Sequence, residues 1–179
     1  MKERNTDKGK SLRPTSNRVR EALFDIIRSR VENAWFLDLY AGTGAVGLAA
    51  IKEGASEVFF VEVAKKNIVE INKAIEKKEL SGQTKVISRK VSSFIEWAEE
   101  EGLSFDIIFL DPPYHTDEII KAMSSIGKSG ILKEDGIVIA EHFVKMELPQ
   151  MFERLEKTKD YHYGDTVLSF YKISEDVKV

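Results

Sequence analysis

The sequence predicts a doubly wound α/β protein with a mostly parallel sheet, preceded by a basic N-terminal helix. Three observations carry that prediction. Short apolar runs alternate with longer amphipathic stretches through most of the chain, which is the pattern of successive βαβ units. One of these runs passes through a glycine-rich turn directly into a helix, the arrangement that lets backbone N–H groups meet a ligand. Another ends in Asp111-Pro112-Pro113-Tyr114, where two prolines fix the backbone and stop the strand.

The elements follow in order. Ser16 or Thr15 is placed to cap a helix whose apolar stripe is Val19, Ala22, Leu23, Ile26 and Ile27. Several of Arg18, Arg20, Arg28 and Arg30 fall off that stripe, where they either meet phosphates or are simply solvated. Trp35 to Tyr40 reads as a buried strand, followed by the loop from Ala41 to Gly47 and a helix to about Lys52. Glu57 to Glu62 is the next strand, and Ala64 to Leu80 a helix stopped at Ser81-Gly82. Thr84 to Ser88 forms a third strand. Ser92 to Glu101 then makes a helix capped by Ser92 or Ser93, ahead of the strand Phe105 to Leu110. A helix over Asp117 to Ile126, a strand over Gly136 to Glu141 and a weak helix over Glu147 to Glu156 come next. Tyr161 to Tyr163 and Thr166 to Ile173 flank Gly164-Asp165 and predict a closing antiparallel hairpin.

Composition sets limits on function. A chain of 179 residues is expected to hold one domain, over residues 12–179, behind a basic and flexible arm at residues 1–11. There is no cysteine, which excludes disulfides, thiolate metal sites and a cysteine nucleophile and favours a cytoplasmic setting. No apolar run approaches the roughly 20 residues of a membrane span, and no membrane partner is expected. Residues 1–30 carry nine Lys or Arg against four Asp or Glu, in a chain whose net charge is −3. That asymmetry suits a basic arm that meets phosphates. The histidines, His115, His142 and His162, are scattered, so neither a metal cluster nor a hydrolytic triad can be assembled, and no metal is expected. His115 is placed to line a pocket beside Tyr114, and the other two read as structural.

Gly42 to Gly47 satisfies G-x-G-x-x-G between a strand and a helix, so a dinucleotide-binding oxidoreductase has to be weighed. Glu62 lies 18 positions after Gly44, close to the offset at which an acid meets ribose hydroxyls. Two features turn the reading toward S-adenosylmethionine. Asp38 stands four residues before the first glycine, where it would accept from an ammonium group, although it is equally placed to bond the loop's own N–H groups. Asp111-Pro-Pro-Tyr offers acceptors and a stacking face to a planar base bearing an exocyclic amine. Taken alone, the same segment would be only a strand-terminating turn.

With these residues in view, the chain resembles the RsmD family of 16S ribosomal RNA guanine-N2 methyltransferases from about Leu12 to its end. The resemblance is carried by Arg13-Pro-Thr-x-x-Arg18-Val-Arg20-Glu21, by Asp38-Leu-Tyr-Ala-Gly-Thr-Gly-Ala45, by Glu62 and by Asp111-Pro-Pro-Tyr114. It implies a class I, Rossmann-like fold with a seven-stranded sheet and S-adenosylmethionine as cofactor. It implies cofactor contacts at Asp38, Gly42, Thr43, Gly44 and Glu62, recognition of the target base by Asp111, Pro112 and Tyr114, and RNA contacts at Lys10, Arg13, Arg18 and Arg20. The implied partner is ribosomal RNA in a small-subunit assembly intermediate, met by a monomer. Where the family commonly offers an Asp or Asn to the cofactor's adenine, this chain reads Arg89-Lys90-Val91, so that contact is expected from the Val91 backbone or a nearby serine. The proline segment is shared with enzymes that methylate adenine N6, which remains the alternative reaction. A non-catalytic RNA-binding domain on the same fold is the alternative from another class.

Overall fold

A computed structural model of the chain describes residues 16–114 and 116–177. Lys10, Arg13, Thr15, His115 and the arm at residues 1–11 lie outside the described residues. Helix α1 spans Asn17–Val31, β1 Trp35–Leu39, α2 Ala45–Lys52, β2 Glu57–Glu62 and α3 Lys65–Lys77. They are followed by β3 Thr84–Ser88, α4 Val91–Glu100, β4 Phe105–Leu110 and α5 Glu118–Lys128. The chain then runs through β5 Leu132–Phe143, β6 Met151–Phe152, β7 Leu155–Tyr163 and β8 Thr166–Ile173.

The strands form one sheet in the order β3-β2-β1-β4-β5-β8-β7-β6. The first five pair in parallel, whereas β8 runs antiparallel to both β5 and β7. Strand side chains alternate between two cores. Phe36, Phe60, Ile107, Phe109, Ile137 and Ile139 face α1, α2 and α3, while Leu37, Phe59, Ile108, Val138 and Ala140 face α4 and α5. Helices therefore cover both faces, as the near-continuous apolar runs of β1, β2 and β4 require. The predicted doubly wound α/β architecture is the one observed.

Three local readings are corrected. The stretch expected to be a weak helix over Glu147 to Glu156 instead supplies β6, a turn and the start of β7, which gives the sheet a short eighth strand. Docking on the end of α5 overrides the helical spacing there. Arg154 donates through Nε to the Gly127 carbonyl at 3.2 Å and through Nη2 to the Ser129 carbonyl, satisfying acceptors left by the ending helix. A Cβ at Gly127 would lie 2.4 Å from the Phe152 carbonyl oxygen, so this close approach needs glycine. In the second correction, α4 begins at Val91 with Lys90 as N-cap and no side-chain cap, rather than being capped by Ser92 or Ser93. Val91 packs with Phe94, Ile95 and Ala98, and burial of that apolar period sets the helix start one residue early. Lastly, β5 begins at Leu132, and its pairing with β4 shifts register between Phe105 and Ile107 to take in the extra residues.

Other predicted signals hold. Ser16 caps α1 by accepting from the Val19 N–H at 3.3 Å. The closing hairpin turns through Gly164-Asp165 between the paired residues Tyr163 and Thr166, with Gly164 at φ 60°.

Gly47 shows why a short residue is needed where α2 crosses the sheet. A Cβ there would meet Phe60 Cε1 at 2.3 Å and Val58 Cγ1 at 2.9 Å. Gly47→Ala is expected to destabilise the ligand-free protein by about 1–3 kcal/mol, read as a lower urea midpoint. An unchanged midpoint would mean that α2 and β2 do not pack this closely.

Candidate functional site

The strand order reverses between β1 and β4, which are parallel neighbours leaving for opposite sides of the sheet. A crevice opens outside their carboxyl ends, where open α/β sheets bind ligands. Leu39 pairs with Leu110, so the chain leaves β1 into the glycine loop beside the point where it leaves β4 into Asp111-Pro112-Pro113-Tyr114. Two segments about 70 residues apart in the chain thereby form one site.

On the β1 side the backbone is turned sharply. Tyr40, Gly42 and Gly44 have φ of 60°, 56° and 75°, and Gly44 is the N-cap of α2 without a side-chain cap. The tight turn is closed by Gly44 N–H donating to the Ala41 carbonyl at 2.7 Å. Thr43 is exposed at its tip. Asp38 is buried and accepts from the Gly47 N–H through Oδ2 at 2.9 Å, so it does hold the loop in the way weighed from sequence. Burial pushes its carboxyl up to about 8; the Gly47 bond opposes that rise, and the charges of Glu62 and Glu141 add to it.

Glu62 accepts from four N–H groups. Val63 and Ala64 donate to Oε1, each at 2.8 Å, while Gly42 at 2.8 Å and the Asn67 amide at 3.2 Å donate to Oε2. One carboxylate thus joins the glycine loop to the start of α3 and fills its acceptor capacity. Val91, the remaining expected contact on this side, is the first residue of α4. Arg89 is turned away onto Trp97, its guanidinium 5.0 Å from the ring centroid.

On the β4 side, two cavities flank Tyr114. One, of about 300 Å³, is bounded by Pro112, Pro113 and Thr116 on one wall and by His142, Phe143 and Lys145 on the other. The second, of about 250 Å³, lies between Ser16, the cap of α1, with Val19 in its first turn, and the Gly164-Asp165 turn. Glu141 lines both. The Tyr114 ring leans against Phe143, centroids 6.3 Å apart. Arg18 and Arg20 sit in the first turns of α1 beside the second cavity; Arg18 is exposed, and Arg20 donates to Asn17 Oδ1 at 2.9 Å. Arg28 and Arg30 lie at the other end of the helix, where they contact Asp25 and the Asp135 carbonyl.

Two features of the site were missed in the sequence. Tyr40 donates its hydroxyl to Glu118 Oε2 at 3.1 Å, tying the residue that follows β1 to the first turn of α5. Burial and the Glu118 charge push its phenol upward. No local signal marks a tyrosine for such a contact. The segment Glu141–Lys145 was also overlooked, though Glu141 closes the apolar run from Gly136 much as Asp111 follows one; in the structure β5 continues to Phe143. His142 is buried with Nε2 2.7 Å from Ser169 Oγ, and the Ser169 hydroxyl is in turn 2.5 Å from Asp160 Oδ1. The serine stands between the other two and is wholly buried, so this chain is a structural bridge from β5 to β8 and β7 and not a nucleophile with its base.

A glycine loop and an Asp-Pro-Pro-Tyr segment at the switch point of a doubly wound sheet are the arrangement of a Rossmann-like transferase of the methyltransferase class. The family described as "Conserved hypothetical protein 95" matches residues 1–172. YlbH of Bacillus subtilis is 32% identical over 164 residues, covering 92% of this chain and 89% of that protein. "Ribosomal RNA small subunit methyltransferase D" of Buchnera aphidicola is 31% identical, covering 87% of this chain and 81% of that protein. A solved structure of a hypothetical protein from Thermus thermophilus superposes with a TM-score of 0.80 at 29% identity, over 92% of this chain and 91% of that one. The chain belongs to this family, the RsmD family of methyltransferases.

Asp38 generates a test in pH. Its carboxyl holds a proton up to about 8 when folded, against 3.8 as the ordinary value. The folded state therefore binds more protons across that window, and stability of the ligand-free protein should fall as pH rises from about 4 to about 8. Asp38→Asn should flatten this slope in urea melts taken across the window; an unaltered slope would place the titration elsewhere. For the brace, Tyr40→Phe should cost about 0.5–1.5 kcal/mol of stability at neutral pH. Equal urea midpoints for Tyr40→Phe and the parent protein would remove the hydroxyl from the account.

Proposed function

We propose that the protein transfers a methyl group from S-adenosylmethionine to the exocyclic N2 amine of a guanine in small-subunit ribosomal RNA. The observation that carries this reading is the juxtaposition of the glycine loop after β1 with Asp111-Pro112-Pro113-Tyr114 after its neighbour β4. Relatives named as ribosomal RNA small subunit methyltransferases supply the substrate class, in Escherichia coli at 28% identity over 77% of this chain.

The residues fit the cofactor. Gly42 and Gly44 leave the loop backbone open at positive φ, and α2 starts without a side-chain cap, so its first-turn N–H groups other than that of Gly47, which Asp38 holds, suit a ligand in the crevice. An ionised Asp38 has Oδ1 for an ammonium group beyond the oxygen that Gly47 occupies. Ribose hydroxyls would exchange with the Asn67 amide on Glu62, the longest of its four bonds. The amides of Val91 and Ser92, at an uncapped helix start, suit the adenine edge, and Thr43, exposed at the loop tip, is left for the cofactor to meet. When bound, the cofactor supplies a sulfonium-activated methyl group.

The protein's own part is to present the amine. The lone pair of a guanine amine is delocalised into the ring, so orientation matters more than basicity; holding reactants in line can contribute about 7–11 kcal/mol. Asp111 and the Pro112 carbonyl accept the two amine hydrogens, which aligns the nitrogen and offsets positive charge as it develops there. Tyr114 stacks on the extruded base, worth about 1–3 kcal/mol per base. Arg18 and Arg20, with Lys10 and Arg13 ahead of them, meet the RNA backbone.

The test is methyl transfer from labelled S-adenosylmethionine to small subunits that lack native methylation, followed by nucleoside analysis. Label is expected in N2-methylguanine; label in N6-methyladenine would replace the base assignment. Asp111→Ala should remove transfer and leave cofactor affinity within about two-fold, since the residue lies on the base side of the site. Charge removal at Arg18 and Arg20 should weaken RNA binding and reduce its salt dependence by about one unit of slope per lost phosphate contact.

A further inference from the structure

Glu141 lies near the carboxyl end of β5, the strand adjacent to β4, and has no part in the mechanism above. Leu110 pairs with Ala140, so Glu141 stands one step further along β5, beside the point at which Asp111 leaves β4. It shares the face of Ile137 and Ile139, directed toward α1 rather than α5. Its side chain is 2% exposed, yet it borders both cavities at Tyr114, the only residue to do so besides Tyr114 itself among the described residues. A carboxylate has about four acceptor positions on its two oxygens, so Glu141 can take an N–H brought to it beside the contacts it already makes. The wall beside the amine-binding loop is therefore an acceptor surface, held rigid because β5 pairs on both sides, with β4 and β8.

The two candidate bases present opposite chemistry to such a wall. Next to its N2 amine, guanine has N1–H, a donor. Next to its N6 amine, adenine has the N1 lone pair, an acceptor. We infer that Glu141 is the specificity-determining residue of the base site, accepting the N1–H of guanine while Asp111 and Pro112 hold the N2 amine. This inference rests on the proposed guanine-N2 reaction and deepens it. Adenine in the same place would set its N1 lone pair against a carboxylate oxygen, two acceptors facing each other, so rejection is built into the pocket wall. Sites made to bond a substrate N–H discriminate strongly against analogues that lack it.

The test uses the full chain and small-subunit RNA rebuilt by splinted ligation, so that the nucleotide mapped by the label assay carries either guanine or 2-aminopurine. 2-Aminopurine keeps the reacting C2 amine but replaces N1–H by a lone pair. The wild-type protein should methylate guanine at least about 100-fold more efficiently in kcat/KM than 2-aminopurine. Glu141→Gln, whose amide can donate to that lone pair, should lower the guanine value, raise the 2-aminopurine value, and cut the ratio by about ten-fold or more. A residue that merely shaped the pocket would lower both alike and leave the ratio unmoved, which would overturn the inference. Should Glu141→Gln fail to fold, judged by melting and cofactor binding, the wild-type ratio decides: near-equal use of the two bases refutes the role of Glu141. No label in guanine from the wild-type protein would instead refute the guanine-N2 reading, and the inference with it.

Discussion

The parallel pairing of β1 with β4 is the contact on which the site depends. Leu37, Asp38 and Leu39 lie against Ile108, Phe109 and Leu110, all buried. Because these strands depart to opposite sides of the sheet, the connections diverge and leave a gap beyond their carboxyl ends. The glycine loop and the proline segment are thus held at a separation set by a β-ladder, which is among the stiffest spacings a protein can provide. Segments that leave such a ladder side by side keep their relative placement.

Around that pairing the polar groups are spent on backbone. Asp38 holds Gly47, and Glu62 holds Gly42, Val63 and Ala64, so two acids on the glycine-loop side of the crevice also maintain that loop. Loop support and the proposed ligand contacts share the same carboxylates, and for Asp38 the Gly47 bond opposes the burial that pushes it up to about 8. Tyr40 continues the scheme at positive φ, strained locally and bonded to Glu118 of α5. The site is a set of braced turns on a rigid sheet.

The antiparallel end of the sheet has a different task. β8 covers β5, and the Ser169–His142 contact with Asp160 behind it fixes the strand end from which Glu141 and Phe143 project. The two-residue β6, held by Arg154 against the end of α5, protects the outer edge. Pocket wall and sheet edge are both consequences of the closing hairpin.

By itself the sequence determined the βαβ alternation, the glycine loop, the strand-terminal Asp111 segment and the Ser16 cap, because each depends on residues near one another in the chain. Apolar period, proline geometry and glycine φ act over a few residues and are legible there. Only the tertiary structure decided that Glu147 to Glu156 is not a helix, since the contacts of Arg154 and Phe152 with α5 outweigh a weak local period. It alone brought Glu141 to the wall beside Asp111, joined Tyr40 to Glu118 78 residues away, and filled Glu62 with four donors. The first two are pairings across large sequence separations, and the third draws on Gly42 from the neighbouring strand end. Register between strands fixes them, and no local propensity encodes register.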